Sequence, residues 1–405
     1  MAFLSARTSK VNRAYIVSAA RTPMGKFGGS LQEFAPADLG VVAARAALER
    51  AGVEAGHVDE AILGCARQAG AGPNVARQVA VRALGPVLGT PVPAFTVNQA
   101  CASGLQALVL AAERIAAGEA DCVLAGGVES MSRVPYFVEG ARWGMKIGHQ
   151  RLTDGMYRDG FLDPLSEMVM GETAEVLAEE YQISREEQDR YACGSHQRAA
   201  RAWKSGAFRD EVVPVEVKEK KGTRLMEQDE TFRADTSEEK LASLAPVFKK
   251  DGTVTAGNAS QITDGAAALV VASEAKVREW KLAPLARVVA WVSVGVDPRR
   301  MGLGPVPAVR RLEEKTGTRL EAFDLVELNE AFAAQVLACD RELHFDPARL
   351  NVNGGAIALG HPIGCSGARI VTTLVHELRR RKAKRGLATL CVSGGLGMAV
   401  SFEAA

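Results

Sequence analysis

The hydrophobic pattern of this chain switches between short, solid apolar runs and longer stretches of helical period. Ala14 to Ala19 is a mostly apolar run of the kind that forms a strand buried on both faces, and Arg21-Thr22-Pro23 and Gly28-Gly29 predict a loop after it. Pro36 to Ala51 predicts a helix, with Pro36 suited to its first position and Gly52 to its stop. A short apolar strand over Asp59 to Gly64 is followed by a helix over Asn74 to Leu84, closed by Gly85-Pro86. A strand over Ala94 to Val97 then runs towards Cys101. Ala102 to Ala117 predicts a strong helix, with Leu105, Leu108, Val109, Ala112 and Ile115 near helical spacing and Gly118 closing it. Asp121 to Gly126 is another buried strand. Strands alternating with helices predict α/β layers joined by crossover units.

The texture changes near Ser132. Residues 133–250 are polar and charged, with the run Lys218-Glu219-Lys220-Lys221 inside them and weak strand signals. Gly171 to Tyr181 and Arg185 to Lys204 predict amphipathic helices, so this stretch reads as an inserted, mostly helical excursion. Apolar, glycine-rich texture returns over Ala256 to Ser273. The chain also repeats itself. Asp59-Glu60-Ala61-Ile62-Leu63 precedes Cys101-Ala102-Ser103-Gly104, a helix, and a strand into Ala125-Gly126-Gly127. Asp324-Leu325-Val326-Glu327-Leu328 precedes Gly364-Cys365-Ser366-Gly367, a helix, and a strand into Ser393-Gly394-Gly395. The spacing from Asp59 to Ser103 is 44 positions and from Asp324 to Ser366 it is 42. Two copies of one βαβ-type half would set their strand-to-helix turns facing each other, a natural place for a site.

Length and composition narrow the function classes. At about 150 residues per domain, 405 residues predict two or three domains with enough chain for a large core. With 49 basic and 48 acidic residues the net charge is +1, which lacks the footprint of a general nucleic-acid binder but leaves room for a local basic pocket. The seven cysteines are widely spaced with no C-x-x-C pair, which argues against a zinc ribbon or thioredoxin motif and for a reducing, cytoplasmic setting. No apolar run reaches the ~20 residues of a membrane span. The basic N-terminus, MAFLSARTSKVNR, reads as a frayed tail, a short transit peptide being the alternative.

Few residues carry candidate chemistry. Cys101 sits at the start of a strong helix, where unpaired amides and the helix dipole are expected to lower a thiol pKa and supply an oxyanion donor. Read alone, it fits better the small buried hydrophobe that most free cysteines are. Of six histidines, His361 stands out in Asn353-Gly354-Gly355-Ala356-Ile357-Ala358-Leu359-Gly360-His361-Pro362, a rigid turn that suits an imidazole activating a thiol. His57, His344 and His376 read as surface residues, and no His pair has metal-ligand spacing. Cys391 ends an apolar strand, Leu387 to Val392, and enters Ser393-Gly394-Gly395-Leu396-Gly397, whose amides are placed to hold an oxyanion. Asn329, after the strand Leu325 to Leu328, either holds a water or carbonyl oxygen or caps a helix.

Together these motifs resemble the thiolases, coenzyme A-dependent acyltransferases that cleave or form 3-ketoacyl-CoA. The resemblance spans essentially the whole chain. It rests on Asn98-Gln99-Ala100-Cys101-Ala102-Ser103-Gly104, Asn329-Glu330-Ala331-Phe332-Ala333, Asn353 through Gly367, and Cys391 through Gly397. Arg21-Thr22-Pro23, Gly126 through Ser132 and Thr255 through Ser260 add weaker support. The resemblance implies a five-layered α-β-α-β-α sandwich of two similar halves with an inserted loop domain. On that division residues 1–282 form the N-terminal half, interrupted by the loop domain over 133–259, and residues 283–405 form the C-terminal half.

The resemblance also implies roles. Cys101 becomes the acyl-accepting nucleophile, His361 its base and an oxyanion donor, and Cys391 the acid/base for the substrate's α-carbon or the leaving thiol. Asn329 holds a water that, with His361, receives the thioester oxygen, and the amides of Cys101 and Ser393 form a second oxyanion hole. Where the family has three glycines after the second cysteine, this chain has Ser393-Gly394-Gly395, so a positive φ at Ser393 would be strained. No tightly bound cofactor is implied; CoA, acetyl-CoA and 3-ketoacyl-CoA are substrates. Their contacts are expected at Arg233, Ser260, Met170 and Lys240. A homodimer or homotetramer is implied, with Arg142 to Gly160 as its candidate assembly loop. Val169, in Met168-Val169-Met170-Gly171-Glu172, stands where short-chain members often carry His, which weakens an acetoacetyl-CoA-only reading. The alternatives are a short-chain acetyltransferase, a condensing enzyme or noncatalytic acyl-CoA carrier of the same fold, and a Rossmann dehydrogenase, the last lacking a convincing G-x-G-x-x-G.

Overall fold

A computed structural model describes residues 12–85 and 92–405. Most of the tail reading, and Pro86 of the expected helix stop, lie outside the described residues. The central elements are β1 (Ala14–Arg21), α1 (Pro36–Ala51), β2 (Glu60–Gly64), α2 (Val75–Leu84), β3 (Ala94–Val97), α3 (Ser103–Ala117) and β4 (Cys122–Ser130). After the insertion come β5 (Thr263–Ser273), β6 (Ala286–Gly295), α6 (Pro305–Thr316), β7 (Leu325–Leu328), α7 (Ala333–Leu343), α8 (Ile363–Arg381), β8 (Arg385–Val392) and β9 (Leu396–Ala404). The insertion contributes α4 (Met170–Glu180) and α5 (Arg185–Ser205). Local signals explain the element ends: Gly52, Gly118 and Gly317 close α1, α3 and α6 in the left-handed region, and a Ser184–Glu187 capping box opens α5.

The strand order shows the repeat. The first half runs β3-β2-β4-β5-β1, parallel across the first two pairings and antiparallel across the next two. The second half runs from a bridge at Leu350 through β7-β8-β9-β6 with the same pattern. The halves join edge to edge where Tyr15 and Ile16 of β1 pair with Arg287 and Ala286 of β6. Beyond that seam the sheets diverge and enclose α3 and α8, while α1 and α2 cover one outer face and α6 and α7 the other. This is a five-layered α-β-α-β-α sandwich.

The middle layer decides where chemistry sits. Helix α8 is buried at every residue from Ile363 to Val375, as a helix between two sheets must be. The stretch Ala100–Ala117 is apolar enough by length and composition to cross a bilayer, but it is α3 with its preceding turn, packed in this same layer. The two helices touch through glycine: a Cβ on Gly104 would lie 2.8 Å from the Ala368 amide nitrogen, and one on Gly367 would lie 2.4 Å from that of Leu105. That close crossing brings the start of α3, with Cys101, beside the start of α8, with His361.

Two boundaries differ from the sequence expectation. The strand expected to end at Gly126 continues to Ser130. Gly126-Gly127 sits inside it because α8 begins on top of it, with the Gly364 carbonyl oxygen 2.2 Å from where a Gly127 Cβ would stand. The helix expected from Ala102 starts instead as a 3₁₀ turn over Ala100–Ala102, with α-helix from Ser103. In the insertion, the Lys218–Lys221 run forms the tip of a small hairpin, Val215–Lys218 against Thr223–Met226.

The insertion is tied to the core by charge. Arg21, fully buried at the end of β1, pairs with Glu211 at 2.6 Å and Asp229 at 2.7 Å, both from the insertion. Asp229 also accepts hydrogen bonds from the Met24 amide and the Trp203 indole. Arg21→Ala would leave two buried carboxylates without their cation. It is expected to cost about 3–5 kcal/mol of stability, read as a lowered urea midpoint. Arg21→Lys is expected to recover only part of this, because an ammonium cannot reproduce the fork geometry.

Candidate active site

Cys101 lies in the 3₁₀ turn between β3 and α3. Ala100 before it has φ of 44°, a left-handed conformation that costs a non-glycine residue roughly 1 kcal/mol and turns the thiol out of the helix start. Ser103 braces the turn, accepting from the Gln99 amide at 2.9 Å and donating to the Ala100 carbonyl at 2.6 Å. Cys391 is the penultimate residue of β8, and Ser393 follows the strand. Ser393 is not among the described residues with positive φ. Gly394 and Gly395 take the left-handed backbone instead, at 85° and 81°, so the serine departure brings no strain of that kind. His361 precedes α8, aimed by Gly360 at φ 98° and by its own amide donating to the Gln261 carbonyl at 2.9 Å.

These residues meet at one cavity of about 870 Å³, lined by Cys101, His361, Cys391 and Ser393 together with Met170 and Ser260. The amides of Ser393 and of Cys101 itself donate towards the Cys101 sulfur. Asn329, fully buried, reaches the site through His361, its Nδ2 lying 3.5 Å from His361 Nε2. Ser366 sets the tautomer of the imidazole. Its hydroxyl donates to the Pro362 carbonyl at 3.0 Å, so it accepts from His361 Nδ1–H and leaves Nε2 bare.

Burial sets the protonation states. It pushes the His361 imidazole down to about 3, helped by the positive charges of Arg369 and Arg67, so the ring rests neutral. The Cys101 thiol is pushed up by burial, although the two amides and Arg67 pull the other way. This reverses the expectation of a lowered pKa: loss of water around a fully buried sulfur outweighs the helix-start donors. Cys101 therefore rests as a thiol. Burial also holds Cys391 well above the ordinary thiol range, with the neighbouring Cys101 and Cys339 adding to it, so it rests as a proton donor.

Arg233 and Lys240 are exposed on the insertion and do not line this cavity. Lys240 Nζ is engaged by Asp235 at 2.5 Å. The Arg233 amide donates to His196 Nδ1 at 3.1 Å. His376, expected at the surface, is half-buried and bonds the Ala19 carbonyl through Nε2 at 2.9 Å, because α8 lies in the middle layer. Sequence reasoning missed two residues. Ser366 was visible only as part of the repeat, and its place five residues after His361, in the first turn of α8, was the available signal. Arg67 carried no signal at all.

His196 gives a pH test of stability. Burial and Arg233 lower its pKa to about 4, and its Nδ1 must be unprotonated to accept the Arg233 amide. Below pH 6.5 the unfolded chain binds a proton here that the folded chain refuses, so stability falls as pH falls towards 4. The stability difference between the wild type and His196→Gln is expected to shrink over that window, read from urea midpoints at pH 7 and pH 4.5.

Two cysteines, a histidine and paired amide donors on one cavity are the parts an acyl-transfer site needs. The chain belongs to the thiolase family: residues 14–275 match the thiolase N-terminal domain and residues 282–404 the thiolase C-terminal domain. It is 52% identical over 388 residues to the acetyl-CoA acetyltransferase of Pseudomonas aeruginosa, covering 96% of this chain and 98% of that one. Among solved structures, it superposes on the Bacillus anthracis acetyl-CoA acetyltransferase with a TM-score of 0.94 at 47% identity, covering 98% of this chain and 99% of that one. It superposes on human mitochondrial 3-ketoacyl-CoA thiolase with a TM-score of 0.94 at 46% identity, covering 98% and 100%. The protein is a thiolase-type acyltransferase.

Proposed function

We propose that this thiolase cleaves 3-ketoacyl-CoA through an acyl-Cys101 intermediate and condenses acetyl-CoA by the reverse path. The observation that carries the reading is the convergence of Cys101, its two amide donors, the bare Nε2 side of His361 and the Cys391 thiol on one cavity. Cys101 Sγ attacks the C3 carbonyl while its proton passes to His361 Nε2. The C2–C3 bond breaks, and the acetyl-CoA enolate takes a proton at C2 from Cys391. CoA then attacks acyl-Cys101, giving its thiol proton to the Cys391 thiolate, and the released Cys101 thiolate recovers its proton from His361. Every proton returns to its source. Fixed donors meet each developing charge: the amides of Cys101 and Ser393 at one oxygen, and protonated His361 with a water held by Asn329 at the other. Asn329 Oδ1 is buried without a hydrogen-bond partner among the described residues, which suits it to holding such a water.

For the substrate, the wall of the cavity supports a chain longer than acetoacetyl. Val169, Met170, Phe161, Met301, Phe248 and Phe332 make it apolar, and Val169 offers no polar group to define a short stop. Ser260 and Met170 both line the cavity, which supports assigning them to pantetheine contact. Of the two cations assigned to CoA phosphate, Lys240 is held by Asp235, which favours Arg233. Assembly as a homodimer or homotetramer fits the exposed Trp143, Met145 and Ile147. A reducing, cytoplasmic setting fits the seven unpaired cysteines.

The test is CoA-dependent thiolysis of acetoacetyl-CoA beside 3-ketooctanoyl-CoA. Both are expected to be cleaved, and Val169→His is expected to lower kcat/KM for the longer chain about 10-fold relative to the shorter. Cleavage of acetoacetyl-CoA alone would favour a short-chain acetyltransferase. Cleavage of neither by folded protein would overturn the reading.

A further inference from the structure

The cavity contains a cation that the mechanism above does not use. Arg67 follows β2 and lines the cavity beside Cys101, His361 and Phe161, yet it is only 7% exposed. Among the described residues no hydrogen bond or ion pair reaches its guanidinium, and its Nε is buried without a partner. Burying a charge this way is costly unless something pairs with it.

The carboxylates nearby make their hydrogen bonds elsewhere, although Glu129 and Asp159 both feel the Arg67 charge. Glu129 accepts the amides of Ala66 at 3.0 Å, Arg67 at 3.0 Å and Gly364 at 2.8 Å, and no ion pair joins it to the Arg67 guanidinium. Glu172, also on the cavity wall, accepts the Val169 amide at 2.7 Å and caps α4. Asp159 takes both arms of Arg158, at 2.7 and 2.9 Å. The chain also makes room for the guanidinium. A Cβ on Gly160 would stand 2.5 Å from Arg67 Nε, and Gly160 is not at positive φ, so the glycine serves space rather than backbone geometry.

A partly buried guanidinium on the wall of a largely apolar cavity is a receptor for a planar anion, and a carboxylate matches its fork. We propose that Arg67 receives a terminal carboxylate on the acyl chain, making 3-ketoacyl-CoA thioesters of dicarboxylic acids a substrate class of this enzyme. A neutral chain of equal length leaves the cation unpaired, so the site discriminates by the penalty on the wrong substrate as well as by the bond to the right one. The bond chemistry is that of the thiolase reading, on which this inference rests. Cleavage of a six-carbon diacid substrate by CoA gives acetyl-CoA and the four-carbon butanedioyl-CoA.

The experiment compares kcat/KM for 3-ketohexanedioyl-CoA and 3-ketohexanoyl-CoA, with acetoacetyl-CoA alongside. The wild type is expected to favour the diacid thioester. Arg67→Leu is expected to lower the diacid-to-neutral ratio on the order of 100-fold, and Arg67→Lys to keep part of it. A wild-type preference for the neutral chain overturns the inference, and this holds even if Arg67→Leu fails to fold. A ratio unchanged in Arg67→Leu also overturns it and makes Arg67 an electrostatic support for Cys101. Cleavage of acetoacetyl-CoA and the neutral six-carbon chain with refusal of the diacid removes this inference alone. Cleavage of none of the three removes the thiolase reading beneath it.

Discussion

Cys101→Ala is expected to lower kcat for thiolysis by about 10⁴- to 10⁶-fold, with the protein still folded and still binding CoA. The size follows from the site's division of labour. Without the sulfur no acyl-enzyme forms, and direct attack by CoA on the 3-keto group has neither the positioned nucleophile nor the two-step path. The amides of Ser393 and Cys101 survive the change, because they belong to the backbone, so residual activity measures oxyanion stabilisation alone. Fold retention is expected because the lost atom sits at the cavity wall and Ser103 still braces the turn. Rapid-quench detection of acyl-enzyme should show it in the wild type and none in the variant. A variant retaining more than about a hundredth of wild-type activity would remove Cys101 from the nucleophile's role.

His361→Ala is expected to lower kcat by about 10³- to 10⁴-fold while changing the KM for CoA little. Two functions are lost together. Cys101 rests as a thiol, so its attack needs a base at hand, and a ring held neutral down to about pH 3 is available as an acceptor throughout the physiological range. In the proposed path the protonated ring then donates from Nε2–H to the thioester oxygen. His361→Asn restores a donor but not a base and is expected to recover only part of the loss. Ser366→Ala probes the same ring indirectly: without its Nδ1 partner the imidazole is free to take the wrong tautomer. A loss for His361→Ala confined to KM would instead assign the histidine to binding.

Much of this protein is legible in the amino-acid order because much of it is local. Solid apolar runs mark the strands, and α1 runs from Pro36 to Ala51 as expected, because a proline at its start and a glycine at its end act within one turn. The internal repeat predicts two like halves, and the sheets bear this out with the same sequence of parallel and antiparallel pairings. The motifs around Cys101, Asn329, His361 and Cys391 are contiguous, so the family and its chemistry can be read before any folding is considered.

What remained depended on parts of the chain far apart in sequence. The glycines at 126 and 127 look like a strand end, and only the start of α8, more than two hundred residues later, explains why the strand passes through them. The Cys101 pKa has the opposite sign to the helix-start argument because desolvation depends on everything that packs around the sulfur, whereas the helix effect is local. The His361 tautomer rests on a hydroxyl one turn along α8, whose direction is set by where that helix is held. Arg67 reads as an ordinary polar residue in a glycine-rich loop. Packing alone buried its guanidinium on the cavity wall and left its Nε without a hydrogen-bond partner among the described residues. Propensity and motif act over a few residues, so sequence carries them. Burial and electrostatics sum over all neighbours in space, so only the tertiary structure decides them.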